Sequence, residues 1–225
     1  MSGEYSRALI ELKNAVQAAP ENARARFLLG QAYLEAGNAD GALKELTRAR
    51  SNGMSDDALN VAIVKAMIRS GKTGEAATEL AINFVESNAT WLSLHGILDL
   101  AGGRYEEAHN ALEQAVKLDP ENLQKRIAGI RAAIALGTTD DARRYIDDAL
   151  TTDIADAEIW ALKGDLDSHD KNYAGAVASY SKSLEVFPNN SIILLRRAAA
   201  HTSNQNPRLG LEDLDAMGDV SNESP

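Results

Sequence analysis

The chain has 225 residues, 33 of them acidic and 23 basic, so its formal net charge is −10. Because binding to nucleic acid depends on clustered lysine and arginine, this balance disfavours nucleic acid as a partner. Hydrophobic residues make up 44% of the chain, which excludes wholesale disorder, while aromatic residues make up only 5% and proline occurs five times. Since alanine and leucine dominate the composition, we predict an all-α protein.

A small residue followed four positions later by a large one recurs from one end of the chain to the other. The small residues are Ala8, Ala42, Ala76, Ala108, Ala142, Ala176 and Gly210, and the large ones are Leu12, Leu46, Leu80, Leu112, Ile146, Tyr180 and Leu214. Successive pairs are 34 residues apart, except for one interval of 32. Because positions i and i+4 share one face of an α-helix, the pattern predicts seven helices with the same buried face.

A second type of helix precedes most of these. Its markers are Leu29-Gly30, His95-Gly96 and Lys163-Gly164, each followed by a break at Gly37, Gly103 or Asp170-Lys171-Asn172. The glycines allow the first helix of a pair to approach the second closely. Pro20, Pro120 and Pro188 mark the ends of units, so each unit is a helix-turn-helix.

In chain order, the predicted elements form one array over residues 1–225. Residues 3–20 are a lone second helix, repeats follow at about 23–56, 57–88, 89–122, 123–156, 157–190 and 191–217, and 218–225 is a flexible tail. Repeat 57–88 has Val64 and Asn83 where small residues are expected, so we predict irregular stacking there. An opening half repeat suggests a fragment of a longer array, and a natural solitary capping helix is the alternative.

These residues match the 34-residue pattern of the tetratricopeptide repeat (TPR), which the chain therefore resembles. The resemblance implies a right-handed superhelical solenoid of antiparallel helix pairs, with first helices lining a concave groove. It also implies a non-enzymatic scaffold that binds a protein or an extended peptide in that groove.

By analogy with such arrays, certain positions of each first helix face the groove. The candidate binding residues are Arg24, Phe27, Gln31, Lys65, Arg69, Ile97, Gln124, Ile127, Arg131, Glu158, Asp165 and His169. Lys65, Arg69 and Arg131 would form a basic centre, which favours an acidic peptide. The alternative is that these side chains are solvated or paired with neighbouring carboxylates.

No pattern of a catalytic, cofactor or metal site is present in the sequence. Cysteine is absent, and the four histidines occur singly without the spacing of a zinc site. Gly71-Lys72-Thr73 lacks the first glycine and the preceding strand of a phosphate-binding loop. We therefore expect no enzyme activity, cofactor or metal in this chain. The remote alternative is an enzyme whose active site lies in a further domain.

Several segments have amino-acid sequences that are more specific than the general repeat pattern requires. Residues 8–17, 29–37 and 162–166 resemble the amino-terminal half of the TPR lipoprotein of bacterial PEP-CTERM protein-sorting and exopolysaccharide systems. This resemblance implies a scaffold in the cell envelope or periplasm that acts in polysaccharide assembly or protein sorting. The sequence carries no signal peptide and no apolar run for membrane insertion, so a cytoplasmic adaptor or co-chaperone-like module is the alternative.

Overall fold

The computed structural model describes residues 3–85, 87–151 and 156–222. Every regular element in these ranges is an α-helix, which confirms the all-α prediction. In chain order the helices are α1 (Gly3–Ala18), α2 (Ala23–Glu35), α3 (Ala39–Ser51), α4 (Asp57–Arg69), α5 (Thr73–Asn83), α6 (Ala89–Ala101), α7 (Tyr105–Leu118), α8 (Leu123–Leu136), α9 (Thr139–Thr151), α10 (Ala157–His169), α11 (Tyr173–Val186), α12 (Ser191–Ser203) and α13 (Pro207–Asn222).

Contacts between helices divide the chain into two compact units, residues 1–118 and 119–225. Unit 1 contains α1 followed by the pairs α2–α3, α4–α5 and α6–α7, and unit 2 contains α8–α9, α10–α11 and α12–α13. The first and second helices of each pair pack against each other, and inside a unit each pair also packs against the next. The single array over 1–225 and its repeat limits stay a prediction.

Short polar side chains determine where most of the helices begin. Eight helices start after an asparagine or aspartate whose side-chain oxygen accepts a hydrogen bond from a backbone N–H of the first turn. These residues are Asn22, Asn38, Asp56, Asn88, Asn122, Asp156, Asn172 and Asn190. Asn122 and Asn190 follow Pro120 and Pro188, the prolines that mark the ends of units in the sequence.

The turn between the two helices of a pair has the same form throughout both units. One residue adopts a positive φ, and the next donates its N–H to a carbonyl five residues earlier, as in the Asn38 N to Tyr33 O bond of 2.9 Å. The positive-φ residues of these turns within pairs are Gly37, Gly71, Gly103, Gly137, Lys171 and Gln205. These residues recur at the same intervals as the helical pattern, so the backbone conformation of the turn repeats together with the sequence pattern.

Five of the seven recurring large residues of the sequence pattern lie in the cores of the two units, whereas Leu12 is partly buried and Leu214 is 42% exposed. Leu46, Leu112, Ile146 and Tyr180 are at most 2% exposed, and the small residues four positions before them are fully buried. Each core cluster joins a helix pair to the following first helix. In unit 1, for example, Leu46 packs with Ile63 of α4.

The region of repeat 57–88 departs from its neighbours in length and in polarity. Helix α5 has 11 residues, and Val64 is fully buried at the position where glycine is expected. Asn83 donates to the Glu79 carboxylate at 3.0 Å and accepts from Asn60 Nδ2 at 2.8 Å. Arg50 also donates to Glu79 and Asn60, so a polar ring joins α3, α4 and α5.

Helix α13 continues beyond residue 217, where the sequence analysis placed the start of a flexible tail. It runs to Asn222, and residues 223–225 lie outside the described part of the chain. The weakest helix former in residues 218–222 is Gly218, which costs about 1 kcal/mol relative to alanine, and no proline occurs before Pro225. One glycine is therefore not sufficient to end the helix.

Candidate functional site

An open cavity of about 500 Å³ lies on unit 2, along its three first helices. Helices α10 and α12 supply most of its lining, α8 and α11 supply one residue each, and the segments before α10 and α12 supply the rest. The lining residues are Arg131, Asp156, Ala157, Glu158, Ala161, Leu162, Asp165, Ser183, Phe187, Asn190, Ile192, Ile193 and Arg196. The cavity therefore spans three successive helix pairs.

Helix caps place the first turns of α10 and α12 at the edge of the cavity. Asp156 Oδ1 accepts a hydrogen bond from the Glu158 N–H at 2.8 Å. Asn190 Oδ1 accepts from the N–H groups of Ile192 and Ile193 at 3.2 and 3.3 Å. Both caps hold the following side chains at the cavity, because they fix where each helix begins.

Two ion pairs cross the cavity from the central helix, α10. Arg131 of α8 pairs with Glu158, and Arg196 of α12 pairs with Asp165 at 2.7 Å. The other oxygen of Asp165 accepts a hydrogen bond from the Tyr180 hydroxyl at 2.8 Å. Burial, and then the hydrogen bond to Asp165, raise the pKa of Tyr180 far above its usual value, so this hydroxyl remains a donor.

Exposed apolar side chains lie beside these charged pairs. Phe187 is 58% exposed and Ile192 is 62% exposed, whereas the neighbouring Leu162 and Ile193 are buried. Large apolar side chains with this exposure favour contact with another molecule when they border a concave surface. The site therefore combines an apolar rim with three carboxylates and two guanidinium groups.

Three of the predicted binding residues, Arg131, Glu158 and Asp165, line this cavity. Gln124 is exposed at the start of α8, and His169 is exposed at the end of α10, where its Nδ1 lies 3.0 Å from an Asp170 carboxylate oxygen. Ile127 is only 2% exposed and packs in the core, so it offers almost no surface to a partner.

The remaining predicted residues lie on unit 1. Arg24, Gln31 and Lys65 are exposed, and Ile97 is partly exposed. Phe27 is only 2% exposed because its ring packs into the core. Arg69 donates to the Leu34 carbonyl oxygen at 2.6 Å and so links α4 to the end of α2. That these residues bind a partner stays a prediction.

Phe187, Ile192 and Arg196 also line the cavity but are not among the residues predicted from the sequence. A signal for Ile192 was present, because it lies 34 residues after Glu158 and thus at an equivalent repeat position. Arg196 and Phe187 carry no such signal. Arg196 pairs with Asp165, 31 residues earlier, and Phe187 lies in a loop, so the position of both side chains depends on how the helix pairs stack.

The described residues contain no group of three His, Asp or Glu side chains arranged to hold a metal ion. Within the same residues, no helix is long and apolar enough to span a membrane.

The sequence matches a protein-family model over residues 1–57 and 99–166, which together make up more than half of the chain. This model describes the tetratricopeptide repeat. The chain belongs to the TPR family. TPR domains bind proteins and peptides, and the family supplies scaffolds for protein–protein interaction. No curated protein matches the sequence significantly.

Solved TPR structures have a similar fold. The crystal structure of the APC/C hetero-tetramer Cut9-Hcn1 contains a chain with a TM-score of 0.81 and 16% identity, covering 99% of this chain and 44% of that one. A TPR protein from Parabacteroides merdae has a TM-score of 0.74 and 16% identity, with coverages of 93% and 78%. Pseudomonas aeruginosa pilF has a TM-score of 0.68 and 20% identity, with coverages of 91% and 94%.

At these identities the likeness shows the fold alone, and it confirms a TPR-type solenoid of antiparallel helix pairs. This chain spans less than half the length of the chain in the Cut9-Hcn1 structure. The neighbours are diverse TPR proteins, and none is specifically a PEP-CTERM lipoprotein. The comparisons therefore support the TPR family but not the narrower resemblance.

Proposed function

We propose that this TPR protein is a non-enzymatic scaffold that holds an extended segment of another protein in the unit 2 cavity. The observation that carries the proposal is the exposure of Phe187 and Ile192 beside a cavity of about 500 Å³. A partner that covers these two side chains removes apolar surface from water, which is the main favourable term in association. The ion pairs around these side chains would orient the bound segment, because charged groups at the rim of an interface fix the register of a partner more than they add to its affinity.

Arg131 and Arg196 link the cavity to the predicted preference for acidic segments. Their side chains are 58% and 44% exposed although each is paired with a carboxylate. Exposed pairs of this kind contribute little stability, so a carboxylate from a partner can replace Glu158 or Asp165 at low cost. On unit 1, Arg24 and Lys65 are further exposed cations on first helices.

Selection of peptides from a display library by the purified chain tests the site. We expect the selected peptides to bind Ile192→Glu at least about tenfold more weakly, since the substitution places a charge on the apolar rim. Ile82→Glu is the matched control, because Ile82 is an exposed isoleucine on unit 1 at 75% exposure. Equal binding to Ile192→Glu and Ile82→Glu would exclude this cavity as the binding site.

The preference for acidic segments is tested with the selected peptides. We expect Arg131→Glu combined with Arg196→Glu, both at the cavity, to weaken acidic peptides, and we expect added salt to weaken them as well. Lys44→Glu is the control, since Lys44 is an exposed lysine on a second helix. Undiminished affinity of the double variant at low salt would contradict an acidic partner.

The proposed setting is bacterial cell-envelope polysaccharide assembly or protein sorting. It is supported by the resemblance of residues 8–17, 29–37 and 162–166 to the PEP-CTERM-associated TPR lipoprotein. Cell fractionation of the source organism tests the setting, and we expect the chain in the envelope fraction together with proteins of polysaccharide assembly. Recovery in the cytosol alone would favour the adaptor alternative.

A further inference from the structure

The deepest part of the unit 2 cavity lies between α10 and α12, two successive first helices. Its buried lining there includes Ala157, Ala161 and Ile193. The residues of α8 that lie 34 positions before these two alanines are Leu123 and Ile127, and both pack in a core cluster with residues of α10. Helix α10 therefore has alanine at two positions where α8 has a large apolar side chain.

Other interfaces between successive first helices have a large apolar side chain at the equivalent place. At each of them, a pair of residues at fixed repeat positions shares one core cluster. These pairs are Phe27 with Ala62, Val61 with Leu94, and Ile127 with Leu162.

The equivalent pair between α10 and α12 is Ala161 and Arg196, 34 residues after Ile127 and Leu162. The Arg196 side chain extends to the Asp165 carboxylate, at 2.7 Å, and Ala161 is too short to fill the space. The backbones of α10 and α12 also approach each other less closely than those of α8 and α10. A gap beside Ala161 therefore takes the place of a packed apolar contact.

Two exposed arginines bracket this gap. Arg131 and Arg196 pair with Glu158 and Asp165, which lie seven residues apart on α10 and thus about 10 Å apart along its axis. Ala161 lies between the two carboxylates on the same face of the helix. An extended chain covers this distance in about three residues. A segment across the gap can therefore bring a carboxylate to each arginine and an apolar side chain between them.

We propose that the segment bound by unit 2 inserts one large apolar side chain, its anchor, into the gap beside Ala161, and that acidic residues on both sides of the anchor contact Arg131 and Arg196. This inference rests on the proposed function, since it names the chemistry of the partner at the same site. The anchor takes the place that Ile127 fills at the preceding interface. Its burial, together with the covering of Phe187 and Ile192, removes apolar surface from water.

Alanine scanning of the peptides that the purified chain selects from the display library tests the proposal. We expect one large apolar residue in each peptide to be the anchor, and its replacement by alanine to raise the dissociation constant at least about tenfold. Replacement of acidic residues within about three positions of the anchor should have a smaller effect, which added salt reduces. These measurements use the unmodified chain, so they do not depend on the folding of a variant.

Ala161→Ile tests the gap from the side of the protein, because it introduces the residue that α8 has at the equivalent position. We expect it to weaken the selected peptides at least about tenfold, but to have little effect on peptides whose anchor is already alanine. Ala111→Ile is the matched control, because Ala111 is a buried alanine on α7 of unit 1, at 8% exposure. Circular dichroism verifies that both variants keep their helical content.

The outcomes separate this inference from the proposed function. Peptides that Ile192→Glu weakens, but in which alanine is tolerated at every apolar position, would overturn the anchor and leave the proposed function standing. So would equal binding of the selected peptides to folded Ala161→Ile and Ala111→Ile. Equal binding to Ile192→Glu and Ile82→Glu would overturn both proposals. Self-association of the chain that Ala161→Ile abolishes, measured by sedimentation equilibrium without peptide, would place a second copy in the gap and overturn the anchor as well.

Discussion

At Gly96, helix α6 approaches α7 so closely that an added Cβ atom would lie 2.5 Å from Leu112 Cγ and 3.1 Å from the Ala108 carbonyl oxygen. Gly30 and Gly164 have equally short distances to the large residue of their own repeat. Glycine in the middle of a helix is otherwise unfavourable. Its presence at these positions is therefore explained by the spacing between the two helices of a pair.

We expect Gly96→Ala to lower the free energy of unfolding by about 1–3 kcal/mol, because the methyl group overpacks the contact between α6 and α7. Gly74→Ala is the control, since Gly74 lies in helix α5 with no atom within 4 Å of the added Cβ, and there alanine should be neutral or stabilising. Urea denaturation measures both. A Gly96→Ala variant as stable as Gly74→Ala would show that the two helices are not held at this distance.

Because the pKa of the Tyr180 hydroxyl is raised, we expect the protein to lose stability in alkaline solution. Burial and the hydrogen bond to Asp165 raise its pKa in the folded protein, whereas in the unfolded chain it titrates near its usual value of about 10. The folded state therefore binds the proton more tightly, so the stabilisation is complete below pH 10 and is lost as the pH rises further.

We expect the free energy of unfolding to fall less steeply above about pH 10 in Tyr180→Phe than in the unmodified chain. Tyr105→Phe is the control, because Tyr105 is 45% exposed. Urea denaturation at a series of alkaline pH values gives the slopes. Identical slopes in all three proteins would contradict a raised pKa at Tyr180.

Among the elements, the first helix of a pair is attached to its turn by a buried carboxylate in two places. Asp99 is 2% exposed and contacts His95 Nδ1 at 2.9 Å and Arg104 Nη2 at 2.5 Å. Asp167, two repeats later, is 3% exposed and accepts from Lys163 at 2.9 Å and from Asn172 at 3.2 Å. In both, the partners lie four residues before and five residues after the aspartate. In both repeats, the buried aspartate therefore links its own first helix to the turn that follows it.

We expect Asp167→Ala to lower the free energy of unfolding by about 2–3 kcal/mol, because charged hydrogen bonds are lost and their donors are left without the carboxylate. Asp147→Ala, at an exposed position of α9, gains the same helix propensity and should change stability by less than about 0.5 kcal/mol. Thermal and urea denaturation compare the two variants. Equal stability would mean that solvent satisfies Lys163 and Asn172 as well as Asp167 does.

The sequence predicts where the breaks between paired helices fall, but not the backbone of every turn. The glycines at 37 and 103 were recognised as breaks, and both have a positive φ. Lys171 and Gln205 have the same conformation without being glycine, at φ values of 62° and 61°. Such a conformation is unfavourable for these residue types, so the packing of the two helices on either side imposes it.

For the molecule as a whole, packing differs between the helices inside a unit and α1. The recurring small residues Ala8 and Ala15 of α1 are exposed, whereas Ala42 and Ala49 of α3 are fully buried. In a repeat array, stability is approximately the sum of the repeats and of their nearest-neighbour contacts. A helix with one covered face therefore opens more readily than one covered on both sides.

We expect native-state hydrogen exchange to be fastest, among the helices of unit 1, in α1, and much slower in α3 and α6. Mass spectrometry of peptides after exchange measures this, at a protein concentration low enough to avoid association. Fully denatured protein provides the control for intrinsic exchange rates. Protection of α1 equal to that of α3 would indicate that Ala8 and Ala15 are covered in solution.

The unit 2 cavity shows how well equivalent repeat positions predict which side chains line a binding surface. Repeat positions identified Arg131, Glu158 and Asp165, because the face of a first helix follows from its register. They also selected Phe27 and Ile127, whose side chains are buried. The register of a helix indicates in which direction a side chain points, but not whether a neighbouring helix covers that side chain. Neighbouring helices cover Phe27 and Ile127.

By itself, the sequence determined the all-α class, the helix-turn-helix interval, the face that α3, α5, α7, α9 and α11 bury and the need for close approach at Gly30, Gly96 and Gly164. These properties are local or periodic, so each follows from residue size, helix geometry and chain spacing. Only the tertiary structure decided that Arg196 pairs with Asp165, that Phe187 borders a cavity and that Leu211 lies exposed on α13. These depend on distances between residues far apart in the chain, which the stacking of helix pairs sets and a single sequence does not contain.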